Sequence, residues 1–111
     1  MVTGVGMAIK GVLREELHNS IKMKKRYEEE LEKLPVGSLI KKNIKGHEYY
    51  YIVLRENGKV RFLYQGKDVP ESVIEEYARA KALRTKYRRL LSQVKKQIKF
   101  LKGALRGQES I

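Results

Sequence analysis

Eleven basic side chains, Arg79, Lys81, Arg84, Lys86, Arg88, Arg89, Lys95, Lys96, Lys99, Lys102 and Arg106, fall between Ala78 and Gly107, a stretch without a single carboxylate. Ammonium and guanidinium groups at this density bind anions, and with no nucleophile, acid or base set beside them they point to recognition rather than catalysis. Lys81, Arg88, Lys95 and Lys102 recur every seven residues, Arg89 and Lys96 follow two of them directly, and Lys99 lies between Lys95 and Lys102. Seven helical residues rise about 10 Å, so the row of four spans roughly 30 Å, close to one turn of duplex DNA. An even row of cations suits a phosphate backbone. An ordinary solvated helix face mixes signs, because opposite charges at i,i+4 stabilise the helix and like charges destabilise it. The competing explanation is a solubility face, or a row paired with Glu15, Glu16, Glu28, Glu29, Glu30 and Glu32 of the N-terminal segment. Those six acids, however, share residues 14 to 34 with six Lys/Arg.

A second candidate set lies between Ser38 and Gln65. Tyr49-Tyr50-Tyr51 offers rings on which bases stack, but strand alternation turns Tyr49 and Tyr51 to one side and Tyr50 to the other. Tyrosine is also simply a good strand residue. Tyr50 is therefore the stacking candidate, and Lys41, Lys59 and Arg61 share its side; a three-stranded sheet laid in a major groove would bring them to DNA. His18 and His47 are the only histidines and there is no cysteine, so no metal ligand set is expected. Glu28, Glu29 and Glu30 occupy consecutive positions that diverge on a helix, and Gly4-Val5-Gly6 lacks the Gly-Lys-Ser/Thr ending of a phosphate loop. The expectation is a protein that is not an enzyme, with no cofactor and no metal.

The elements that position these groups follow from periodicity. Leu13, Leu17, Tyr27, Leu31 and Leu34 mark a helix over 8–34 whose stripe is polar in the middle, at Ser20 and Lys24; Pro35 and Gly37 end it. Residues 1–7, with two glycines and no pattern, are expected to be flexible. A meander over 38–65 is expected to have strands Ser38–Ile44, His47–Glu56 and Lys59–Gln65, joined by two-residue turns at Lys45-Gly46 and Asn57-Gly58; Asn-Gly is the strongest hairpin signal because both positions take positive φ. After Pro70 a basic helix runs to about Gly103. Its Val73, Tyr77, Ala80, Arg84, Tyr87, Leu91, Val94, Ile98, Leu101 and Leu105 alternate steps of four and three, the spacing of a coiled coil, with Arg84 breaking the seam.

Two-residue turns set Ile44 opposite His47 and Glu56 opposite Lys59. One sheet face then gathers Ile40, Ile44, Tyr49, Tyr51, Val53, Val60, Phe62 and Tyr64 and is expected to be the core face. The other mixes Leu39, Tyr50, Ile52, Leu54 and Leu63 with Lys41, Glu48, Glu56, Lys59 and Arg61, and is expected to be the wetter one. The fold class is α+β: two long antiparallel coiled-coil helices flanking a three-stranded antiparallel β-meander, in a single domain over 1–111. In the simplest register Leu34 meets Val73, Tyr27 lies near Ala80, and Lys24 faces Arg84. The two cations are expected to snorkel outward, with Glu28 or an anion as alternative partners.

Composition agrees with one charged, extended domain: 111 residues, 34% charged, a net charge of +12 and 41% hydrophobic residues. The N-terminal MVTGVGMAIKGVL is too short to span a bilayer and carries Lys10, so a soluble, cytoplasmic protein is expected, without a membrane partner. The charge points to a polyanion.

The motif run Leu34-Pro35-Val36-Gly37-Ser38-Leu39, Ile44-Lys45-Gly46, Tyr49-Tyr50-Tyr51, Arg55-Glu56, Gly58-Lys59-Val60 and Tyr64-Gln65-Gly66-Lys67 resembles a family of small uncharacterised bacterial and archaeal proteins with this hairpin pattern between charged helices. That resemblance implies no activity. The Tyr-rich strand, Arg-Glu, Gly-Lys and closing Tyr-x-Gly are more loosely similar to the small DNA-binding sheets of phage integrases and some transposases. The sequence thus leads to a non-enzymatic nucleic-acid-binding protein, DNA before RNA, contacting phosphates through its basic helix; the alternative is a coiled-coil oligomerisation or adaptor protein, with a homodimer through the heptad helices.

Overall fold

A computed structural model describes the backbone of residues 2–109 and the side chains of residues 9–107. Helix α1 (Val2–Glu32), strands β1 (Ser38–Ile44), β2 (His47–Glu56) and β3 (Lys59–Gly66), and helix α2 (Glu71–Glu109) follow in that order, an α+β arrangement of two helices and a three-stranded antiparallel sheet.

Both helices outrun the sequence expectation. α1 already includes residues 2–7, which were expected to be flexible, because extending an existing helix adds one hydrogen bond per residue without a new nucleation step; Met1 lies outside the described residues. α2 runs through Gly103 and Gly107 to Glu109. Glycine there costs about 1 kcal/mol relative to alanine, but Leu101 and Leu105, 5% and 7% exposed, hold that turn by burial. At the start of α2 the Pro70 carbonyl accepts from the amides of Val73 (3.0 Å) and Ile74 (3.2 Å), so proline opens the helix where its missing N–H is harmless.

The sheet has the order β1-β2-β3. Both hairpins turn in two residues with positive φ at each: Lys45 (52°) and Gly46 (81°), Asn57 (53°) and Gly58 (76°). Ile44 pairs with His47 and Glu56 with Lys59, the expected registers. Between Tyr51–Tyr64 and Tyr50–Gly66 the β2–β3 register slips, leaving Gln65 as an extra residue, and Gly66 takes φ 99°.

The chain divides into two compact units. One comprises residues 1–32 and 86–111. Its interior is the heptad stripe: Val94, Leu101 and Leu105 are buried, as is Ser20 at 1% exposure, and Leu13, Leu17, Leu31, Leu91 and Ile98 are half-buried. The rings of Tyr27 and Tyr87 meet at 6.0 Å between centroids. Tyr27 was expected near Ala80, so the register is one heptad away from the simple hairpin.

The other unit, residues 33–85, holds the sheet and the first turns of α2 and explains that shift. Leu39, Ile40, Lys41 and Tyr50 line one cleft with Ile74, Tyr77, Ala78 and Lys81, so the sheet covers the stretch of α2 that a simple hairpin would have given to α1. Arg84 neither snorkels nor finds an acid: its Nη2 donates to the Pro35 carbonyl at 2.6 Å in a part-buried bond. The seam-breaking residue thus ties the segment leaving α1 to α2.

The face expected to be core is open along β3 and at the β1 turn. On that face Ile44 (44%), Val60 (50%), Phe62 (51%) and Tyr64 (59%) are exposed while Ile40, Tyr49, Tyr51 and Val53 are half-buried; on the other face Leu39, Tyr50, Ile52 and Leu54 are half-buried and Leu63 is exposed. The charges that made the second face look wet lie toward the turns and answer one another, Lys41 with Glu48 at 3.3 Å and Arg61 with Glu56. Its apolar centre is left for α2. Gly37 fits here for steric reasons as well: at φ 88°, a Cβ would lie 2.8 Å from the Val53 carbonyl oxygen and 2.9 Å from Ile52 Cγ2.

Candidate nucleic-acid interface

The basic residues of α2 owe their exposure to the seam behind them. With Val94, Leu101 and Leu105 inward, helical geometry turns Arg88, Arg89, Lys95, Lys96, Lys99 and Lys102 outward, and all six are exposed. None of them forms an ion pair among the described residues.

Four residues of this segment converge with a fifth cation from α1. Lys95, Lys99, Lys102 and Arg106 line a shallow, open groove of ≈ 270 Å³ with Lys24, over the single apolar wall of Ile98. Lys24 had been expected opposite Arg84; the one-heptad shift brings it here instead. Five cations around one concavity repel one another, and a multivalent anion relieves that repulsion. Arg88, Arg89 and Lys96 lie on the same unit outside this lining. Lys81 belongs to the sheet unit, where it borders the cleft with Lys41 and Tyr50. All four residues of the expected row lie on the continuous helix α2, and Arg88, Lys95 and Lys102, the part within the helical unit, span about 20 Å of it.

The sheet residues fare differently. Lys41 is bound to Glu48, and that hydrogen bond, followed by the Glu48 charge, holds its ammonium pKa above the usual lysine value. The Arg61 guanidinium donates to the Glu56 carboxylate. Lys59 is exposed beside the Asn57-Gly58 turn. Tyr50 is half-buried in the cleft with Ile74 and Tyr77, with Lys41 Nζ 5.5 Å from its ring centroid. Its ring thus borders α2, while Tyr49 and Tyr51, equally half-buried, lie on the other face.

Of the rings expected in the interior, Phe62 and Tyr64 are exposed, while Tyr49 and Tyr51 are half-buried. Tyr49 and Tyr64 stand 6.1 Å apart, Tyr51 and Tyr64 5.4 Å, and His47 and Tyr49 6.4 Å, centroid to centroid. Lys42 Nζ lies 4.1 Å from the Phe62 centroid and 5.2 Å from that of Tyr51, and Lys67 Nζ 5.4 Å from that of Tyr49. The signal available in sequence was the self-pairing of the strand charges: Glu48 can reach Lys41, and Glu56 can reach Arg61, which would have marked the opposite face as the one able to accept a helix.

The chain belongs to the family described as Domain of unknown function (DUF6788), whose model matches residues 13–75. The match takes in α1 from Leu13, the whole sheet and the first turn of α2, and stops before Arg79. No curated protein and no solved structure matches the chain.

Proposed function

We propose that this member of the DUF6788 family is a non-enzymatic nucleic-acid-binding protein that holds a phosphate backbone on the basic surface of α2, with DNA as its partner in preference to RNA. One observation carries the reading: Lys24, Lys95, Lys99, Lys102 and Arg106 surround a single groove whose lining contains no carboxylate. In this reading the heptad stripes pack as an antiparallel coiled coil that keeps the basic face straight, Arg88, Arg89 and Lys96 add flanking phosphate contacts, and Lys59 and Lys81 serve as secondary contacts. The partner would place the protein in the cytoplasm. No helix among the described residues is long and apolar enough to cross a membrane.

The test is fluorescence anisotropy of a labelled duplex over 50 to 200 mM salt. Each neutralised phosphate contributes about 0.9 to the logarithmic salt slope. Replacing Lys95, Lys99, Lys102 and Arg106 together with Gln should therefore flatten the slope by about 3 to 4 units, worth roughly 150-fold in affinity across that fourfold salt range. All four side chains are exposed, so the circular dichroism should not change. An unchanged slope would reject the assignment.

A specific observation also favours the second reading, a coiled-coil oligomerisation or adaptor protein. Phe100 is 71% exposed beside Gly103 and Ala104, off the heptad seam, and an exposed ring next to small residues suits a second helix. A homodimer formed there would double the solution mass, and Phe100→Ser would restore the monomer.

A further inference from the structure

We infer that the sheet face bearing Tyr49, Tyr51, Phe62 and Tyr64 is a base-stacking surface for single-stranded DNA. The inference goes beyond the phosphate groove of α2: it uses other residues, within the sheet unit alone, and would stand if that groove bound nothing.

Exposure is the first observation. Phe62 and Tyr64 leave more than half of their surface in solvent on the same side as Val60 and Ile44, although a folding chain buries large rings first when it has the choice. On the other face Leu39 and Tyr50 line a cleft with Ile74, Tyr77 and Ala78 of α2.

Arrangement is the second. Tyr51, Tyr64, Tyr49 and His47 follow one another at centroid steps of 5.4, 6.1 and 6.4 Å. These steps exceed the roughly 3.4 Å between successive nucleotides of a stacked strand in a duplex. A strand that sets one base on each ring must therefore be unstacked and extended. A duplex offers its base edges, not its base faces, to a protein, and rings tilted 49–59° to one another present separate planes, which suit splayed, unpaired nucleotides.

Charge is the third observation and identifies the occupant. The two strand carboxylates, Glu48 and Glu56, lie on the opposite face, each engaged by a cation. The ring face carries Lys42 and Arg55 from the strands, with Lys67 at its border over Tyr49, and no acid. A second copy docked face to face would oppose these cations to their own kind. An extended polyanion with a flat ring on each unit meets both features at once: bases take the ring faces, and the lysines now resting on those rings turn to the phosphates. Stacking needs no 2′-hydroxyl, so the rings themselves give RNA no advantage over DNA.

The experiment uses the full chain with a labelled oligo(dT), the same length of oligo(U), and a mixed-sequence duplex. Tyrosine fluorescence is followed beside anisotropy. Oligo(dT) should quench tyrosine emission. Phe62→Ala and Tyr64→Ala should each weaken oligo(dT) binding by roughly 5- to 150-fold, the range for loss of one stacking ring. Both should leave the salt slope unchanged, since neither removes a charge, and Tyr64→Phe should bind as the parent does. Both positions are over half exposed, so folding is checked simply by circular dichroism. The inference is overturned if the alanine variants bind oligo(dT) as the parent does, if they weaken the duplex equally, if oligo(U) binds more tightly than oligo(dT), or if the face proves to be covered by a second copy in sedimentation. The groove reading fails separately, through an unchanged slope in the Gln variant.

Discussion

Replacing Arg84 with Met tests the packing logic of α2 directly, because two opposed expectations attach to one position. The heptad pattern treats Arg84 as a defect, so an apolar residue of similar length should improve the seam. The observed geometry treats it as a clamp: the guanidinium donates to the Pro35 carbonyl at 2.6 Å, forty-nine residues away in sequence. A hydrogen bond from a charged donor contributes about 1.5–3 kcal/mol, and the part-buried setting argues for the lower half of that range. With about 5 °C of melting temperature per kcal/mol for a chain of this size, Arg84→Met should melt roughly 7 to 10 °C below the parent. Arg84→Lys, which keeps the charge but not the planar fork, should fall between the two. Thermal denaturation followed by circular dichroism at the helical band reads all three. The clamp also removes Arg84 from the cations available to a polyanion, so Arg84→Met should leave the duplex salt slope where it is. A Met variant that melts at or above the parent would refute the clamp and restore the seam reading.

Two further expectations follow from the same geometry. Gly37→Ala should destabilise the chain by about 1–3 kcal/mol through its positive φ alone, and by more through the contacts at 2.8 and 2.9 Å, whereas Gly46→Ala and Gly58→Ala, which meet nothing within 4 Å, should cost only the backbone strain; urea titrations of the three variants rank them. The Lys41 pKa is raised by its hydrogen bond to Glu48, so the stability it adds is fully present below the ordinary lysine value of about 10.4 and is lost as pH rises through the raised folded value. Melting curves should therefore owe none of their change between pH 7 and 9 to this pair, and Lys41→Gln should reduce the alkaline fall above that window.

The sequence made the elements legible where a local rule was sufficient. Asn57-Gly58 and Lys45-Gly46 fixed both registers because only a two-residue turn with positive φ joins strands so closely, and the four-three spacing from Val73 to Leu105 identified the residues that point inward. The same reading failed wherever the answer depended on which element arrives from a distance. Both sheet faces carry apolar side chains, and counting charges could not rank them, since the Lys41–Glu48 and Arg61–Glu56 pairs stay in solvent toward the ends of a face whose Leu39 and Tyr50 still reach α2. Tyr50 was singled out on that face. Periodicity also says nothing of register, which is why Lys24 was set against Arg84 rather than beside Lys95 and Lys102.

What α2 gains from its one-signed composition is the remaining physical question. Arg84 and Arg88, Lys95 and Lys99, and Lys102 and Arg106 are like charges at i,i+4, each unfavourable by about 0.2–0.5 kcal/mol in a helix, and none of these pairs is separated by an interposed acid among the described residues. The helix persists because Val94, Leu101 and Leu105 are buried on its inner side, where each side chain is worth about 1.5–3 kcal/mol. Burial therefore outweighs repulsion, but repulsion is what a bound anion removes. Apart from Glu109 at the end of α2, the acids that would have removed it within the chain are placed elsewhere: in α1, on the Tyr50 side of the sheet, at Asp68, and in the first turns of α2. Thus both surfaces assigned to a polyanion, the groove around Ile98 and the rings around Tyr64, are the ones kept free of carboxylates, and a ligand carrying its own negative charges would complete them without displacing anything.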